Sequence, residues 1–131
     1  MSKSRQTLGR WGEDVAARHL TGSGFTILDH NVRTPYGELD LVAWLPASPP
    51  ENNPGEGLLV FIEIKTRTSP SLGFPEISIT PRKQAHLMDA ARFYIQEHPE
   101  YSANWRIDVV AIQRYDRLAP PTITHFENII T

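Results

Sequence analysis

The chain has 131 residues, 40% of them hydrophobic, no cysteine, and 13 Lys+Arg against 15 Asp+Glu for a net charge of −2. That length and apolar share fit one compact domain, residues 1–131, with a core of its own. The missing cysteine excludes a disulfide framework, a thiolate zinc site and a thiol nucleophile, and the balance of charge lacks the basic excess of a nonspecific nucleic-acid binder.

The chain opens MSKSRQTLGRWGED, polar and charged, with no apolar run resembling a signal peptide. No stretch approaches the roughly 18 continuous apolar residues of a membrane helix. A soluble cytoplasmic protein with no membrane partner is expected, and the absence of cysteine fits a reducing compartment. Basic residues gather in two groups, Lys3, Arg5, Arg10, Arg18 and Arg33, then Lys65, Arg67, Arg82, Lys83 and Arg92. A local basic surface is compatible with the near-neutral total.

Leu8 to Leu20 reads as a helix, with Leu8, Trp11, Val15 and His19 at steps of three and four. Thr21-Gly22-Ser23-Gly24 ends it, because glycine takes the left-handed conformation that follows a helix C-terminus. Phe25 to Thr34 alternates Phe25 and Ile27 against Thr26 and Leu28, a strand. Pro35-Tyr36-Gly37 turns the chain into a second strand, Glu38 to Trp44, where Glu38, Asp40 and Val42 share a face under simple alternation.

Residues 46–57 form a proline-rich, polar loop that reads as an insertion between two strands able to pair as a hairpin. Leu58 to Arg67 is the third strand. Its alternation sets Leu59, Phe61, Glu63, Lys65 and Arg67 on one face and Val60, Ile62 and Ile64 on the other. The first face begins apolar and turns charged half-way along, an unusual way to build a core. Thr80-Pro81 then opens a second helix, threonine as N-cap and proline at the first helical position, with Leu87, Met88, Ala91, Tyr94 and Ile95 as its buried stripe. Trp105 to Arg114 is a fourth strand, and a fifth lies in ITHFENII. The order is α-βββ-α-β-β, an α/β mixed sheet flanked by helices.

If the second and third strands pair as a hairpin, Asp40 and Glu63 lie side by side. Two adjacent carboxylates repel, and a cation offsets the repulsion. Mg²⁺ suits such a pair, because it takes one or two carboxylates and keeps several waters. The Ile64 carbonyl offers a third oxygen, and Lys65 projects beside the ion, where an ammonium can orient a water or stabilise a phosphate. On the first helix Glu13 lies beside Ala16, Ala17 and Leu20 rather than on a wholly charged face. Each feature also has a plainer reading. Acid-x-Lys on a strand describes an ion pair at a strand end, and an acid near a helix N-terminus interacts favourably with the helix dipole.

An aspartate, a gap and then Glu-x-Lys resembles the pattern of the PD-(D/E)xK nucleases. The helix before the first strand and the helix after Glu-x-Lys match the restriction-endonuclease-like αβββαβ core of that fold. GRWGEDVAARHL, GFTILDHNVRTPYGELDLVA, VFIEIKTR, the helix carrying Lys83 and RIDVVAI together resemble the YraN family of small bacterial proteins, described as endonuclease-like and distantly similar to archaeal Holliday-junction resolvases. The resemblance covers nearly the whole chain. It implies a metal-dependent endonuclease acting on DNA, branched or junction DNA included, with Mg²⁺ or in its place Mn²⁺. Asp40, Glu63 and Lys65 would be the catalytic set, Glu13 the matching helix glutamate, Asp40, Glu63 and Ile64 the metal ligands, and Arg67 and Lys83 the phosphate contacts. Junction resolvases act as symmetric pairs, so a homodimer is implied by analogy.

A noncatalytic DNA- or protein-binding module on the same fold is the competing reading. Gly9-Arg10-Trp11-Gly12 matches the G-x-x-G that clamps RNA in other folds, but its place on a helical stripe favours close packing of glycine. His19 falls on the apolar stripe as a core histidine, and the five histidines lack metal-ligand spacing. No phosphate-binding G-x-x-x-x-G-K-[ST] loop occurs.

Overall fold

The computed structural model describes residues 3–46, 57–68, 79–101 and 104–129. Helix α1 (Lys3–Gly22) is followed by β1 (Thr26–Thr34), β2 (Gly37–Pro46), β3 (Gly57–Arg67), helix α2 (Pro81–Glu97), β4 (Asn104–Gln113) and β5 (Thr122–Phe126), with a short 3-10 turn at Pro99–Tyr101. The five strands form one sheet in the order β1-β2-β3-β4-β5. All neighbours are antiparallel except β3 and β4, which run parallel. A parallel pair requires a crossover, and α2 lies within it. The order and the mixed sheet are those expected for a restriction-endonuclease-like core.

Each helix covers one face. Ala16 and Leu20 of α1 pack with Phe25, Leu41, Ala43, Val60, Ile62, Val110 and Ile112. Leu87, Ala90, Ala91 and Tyr94 of α2 pack with Leu39, Val42, Leu59, Phe61 and Ile107. The alternation expected of β3 holds, with Val60 and Ile62 toward α1 and Leu59 and Phe61 toward α2. The Thr80 hydroxyl caps α2 by accepting from the Lys83 N–H at 3.1 Å, and Pro81 follows it. Gly24, at φ 98°, ends α1 in the left-handed conformation.

Three features differ from the sequence expectation. Pro46 and Gly57 belong to strands and face each other across β2 and β3, so the proline-rich segment reduces to residues 47–56, which lie outside the described residues. His19 is not a core histidine. It lines a surface cavity of about 520 Å³ with Trp11, Arg18 and Arg114, because Ala16 and Leu20 occupy the centre of the buried stripe. The even-numbered face of β2 does not run unbroken from Glu38 to Val42. Leu39 and Val42 pack toward α2 while Leu41 packs toward α1, so alternation breaks at Asp40. Opposite it, Asn31 adopts φ 52° and the β1–β2 register passes from His30↔Leu41 to Val32↔Leu39 without pairing Asn31 and Asp40. Asparagine tolerates that conformation better than most residues.

Gly12 brings α1 close to β3. A β-carbon there would meet the Thr66 hydroxyl oxygen, which confirms close packing as the role of this glycine. Gly12→Ala is expected to destabilise the fold by about 1–3 kcal/mol, the usual cost of overpacking. Thr66→Ala removes the obstructing oxygen, so the double variant should recover part of the loss in a chemical-denaturation cycle. A purely additive loss would place the cause elsewhere. Among the described residues no helix is long and apolar enough to cross a membrane.

The sheet forks. The β2–β3 ladder runs from Pro46↔Gly57 to Leu41↔Ile62 and stops. Beyond that point β2 stays with β1 as far as Thr34↔Gly37, and β3 stays with β4 as far as Arg67↔Gln113. Asp40 and Glu63 are the first residues past the last paired step.

Candidate functional site

Asp40 and Glu63 stand at the base of this fork on neighbouring strands. The Asp40 side chain takes over where the ladder ends, its Oδ2 accepting the Ile64 N–H at 2.9 Å. In a strand the N–H and C=O of one residue face the same neighbour. The Ile64 carbonyl therefore also faces the fork, as required of the third oxygen expected there. Glu63 is only 5% exposed and is not the solvated partner of a surface ion pair. Its Oε2 lies 3.5 Å from Lys65 Nζ and 3.4 Å from Lys83 Nζ.

Lys83 thus comes from the first turn of α2 to meet an acid at the fork, having been expected only as a phosphate contact. Arg67 continues the same face of β3, and its guanidinium donates to the Thr66 carbonyl at 3.2 Å. Glu13 approaches from α1. Its Oε2 accepts the Asn31 side-chain amide at 3.1 Å. The left-handed Asn31 thus lies within β1 opposite Asp40, and its side chain also holds Glu13.

The electrostatics centre on Asp40. Burial first, then the neighbouring Glu63, pushes its carboxyl up from 3.8 to about 7. The Ile64 N–H works in the opposite direction, and Glu13 and Glu38 add smaller upward pushes. Burial beside a second acid raises a carboxyl in this way. Among the described residues no three histidine, aspartate or glutamate side chains converge as a ready-made metal cluster. The donor set is two carboxylates and a carbonyl, all hard oxygens. That set fits a small divalent cation that keeps several waters, and it does not fit a metal needing nitrogen or sulfur ligands. Asp40, Glu63 and Ile64 would hold such an ion.

Reading the sequence missed two features. Asn31 carried a weak signal, a poor strand former inside Asp29-His30-Asn31. The second is a polar knot on β4. Asp108 is fully buried, and its carboxylate accepts from Arg106 Nε at 2.9 Å and from the Asn128 N–H at 2.8 Å. His125 Nε2 lies 2.7 Å from the same carboxylate. An acid inside the apolar run Ile107-Asp108-Val109-Val110 is the signal that singled out Glu63, and it applied here equally.

The family described as "Uncharacterised protein family UPF0102" matches residues 12–112, a span that contains Glu13, Asp40, Glu63, Lys65 and Lys83. A UPF0102 protein of Syntrophotalea carbinolica is 40% identical over 114 residues, covering 87% of this chain and 85% of the relative. One from Dehalococcoides mccartyi is 41% identical over 112 residues, covering 86% and 84%. A third, from a Mycobacterium species, is 36% identical over 126 residues, covering 96% and 87%.

Proposed function

We propose that this chain, which belongs to the UPF0102 (YraN) family, is a metal-dependent endonuclease that hydrolyses phosphodiester bonds in DNA. The observation that carries the reading is the placement of Asp40 and Glu63 together at the sheet fork, with Asp40 pushed up to about 7 and lysines alongside. Structural ion pairs serving stability alone do not need a second acid held against the first.

In this reading Asp40, Glu63 and the Ile64 carbonyl hold Mg²⁺, for which Mn²⁺ can substitute. A divalent ion there supplies a Lewis acid for a phosphoryl oxygen and an acidified water. The protein does the rest by position. Lys65, held 3.5 Å from Glu63, aims an ammonium along the face that a phosphate would approach and stabilises negative charge developing on it. Lys83 fixes the Glu63 carboxylate from the α2 side. Glu13, steadied by Asn31, would add a further acid on the α1 side of such an ion. Branched DNA is the favoured substrate, and a symmetric pair of chains the favoured assembly, on family analogy.

One observation favours the noncatalytic alternative. Glu63 already carries two ammonium groups within 4 Å, so its charge is compensated without an ion. The two readings part on a panel of labelled branched junctions, flaps and linear strands, each incubated with Mg²⁺, Mn²⁺ or EDTA. The nuclease reading expects metal-dependent cuts, reduced in Glu63→Gln by on the order of a hundredfold to a thousandfold. Bound but uncut DNA in every metal would support the binding module instead.

A further inference from the structure

On the α1 side of the fork lies a cavity of about 370 Å³ lined by Gly9, Arg10, Glu13, Asn31, Arg33 and Glu38. It adjoins the candidate site electrostatically, because Glu13 and Glu38 both act on Asp40. Arg10 and Arg33 each have a carboxylate available and leave it unused. Arg33 faces Glu38 directly across the β1–β2 ladder, and Arg10 stands three residues before Glu13 on α1. Among the described residues neither arginine closes an ion pair. Two guanidiniums and two carboxylates thus share one open, formally neutral space.

We propose that this cavity seats the phosphate next to the one cut, gripped by Arg10 and Arg33. The inference rests on the nuclease reading and extends it to the path of the strand. Guanidinium groups suit the task because their planar fork of donors matches phosphate oxygens. Lys65 and Lys83 lie on the α2 face of β3 and the two arginines on the α1 side, so cationic side chains stand on both flanks of the acid pair. A strand crossing the fork has cationic donors within reach before and after the scissile position. The neutral total has a further consequence. Glu13 and Glu38 repel a phosphate until a divalent cation at the fork offsets them, so this subsite engages DNA more strongly with the cation than without it.

The test uses the full chain and a DNA strand carrying one neutral methylphosphonate, stepped across the positions flanking the cleavage site. Binding is measured in Ca²⁺, to separate it from cutting, and compared with Arg10→Gln/Arg33→Gln. Both arginines are exposed, so this variant should fold, and an unchanged melting temperature checks that it does. The proposal expects the neutral linkage to weaken wild-type binding about tenfold at one flanking position and to leave the variant indifferent there. It also expects the salt dependence of binding to fall by about 0.7–0.9 per lost contact, with Mn²⁺ binding at the fork unchanged. Equal losses for wild type and variant at every position would overturn the subsite while leaving the nuclease reading in place. Failure of the wild type to bind any DNA, with or without a cation, would overturn both.

Discussion

Asp40→Asn is expected to abolish cation binding at the fork and yet, in EDTA at pH 8, to melt at a higher temperature than the wild type. Folding raises the Asp40 carboxyl from 3.8 to about 7, so between those values the native state binds more protons than the unfolded chain. Native stability then falls as pH rises through that window, and above about 7 the whole penalty applies. At 1.36 kcal/mol per unit, less solvent screening at a half-buried position, the penalty is about 2–4 kcal/mol. Asparagine removes the ionisation and keeps a carbonyl to accept the Ile64 N–H. The two proteins should converge below pH 4 and separate progressively toward pH 8 in thermal melts. A variant less stable than wild type at pH 8 would mean that Asp40 contributes to the fold through something other than its charge.

The largest loss of stability is expected from Asp108→Ala. This fully buried carboxylate binds Arg106, whose guanidinium also lies 3.7 Å from Glu127. The same carboxylate ties β5 and the chain after it back to β4 through His125 and Asn128. Burial opposes the charge, but hydrogen bonds from His125, the Asn128 N–H and Arg106 outweigh it and hold the carboxyl below its usual 3.8. Removing it leaves a half-buried guanidinium and a backbone N–H without their acceptor, a loss of about 3–5 kcal/mol. The sign with pH is opposite to that of Asp40. The stabilisation is complete above 3.8 and disappears as pH falls through the depressed native value. Denaturant melts from pH 2 to 7 should therefore show the wild type losing its advantage over Asp108→Ala only at the acid end. A constant difference across that range would assign the knot to packing rather than charge.

Much of the fold was legible because the signals were local. Thr80-Pro81 specified a helix start, and Gly24 and Gly37 marked turns that need positive φ. The half-apolar, half-charged face of β3 identified Glu63 and Lys65 before any partner was known. The fork was not legible, because it depends on where a ladder stops. Register across β2 and β3 does not follow from either strand alone. Nor could strict alternation foresee the break at Asp40, which lies opposite the positive-φ Asn31 on another strand. Lys83 was identified as a phosphate-contact candidate, but its approach to Glu63 was not legible, since only the crossover from β3 into α2 brings the two together. Asp108 was passed over because RIDVVAI was read for its apolar residues.

The central claim is that the fork holds a divalent cation between Asp40 and Glu63. Titration of Mn²⁺ into isotopically labelled protein, followed by paramagnetic broadening of the amide resonances, tests it most directly. The amides of Asp40, Leu41, Glu63, Ile64 and Lys65 should broaden first and together, and Asp40→Asn should remove the effect. Broadening that begins at exposed acids such as Asp14, Glu97 or Asp116, or that is the same in Asp40→Asn, would contradict the claim.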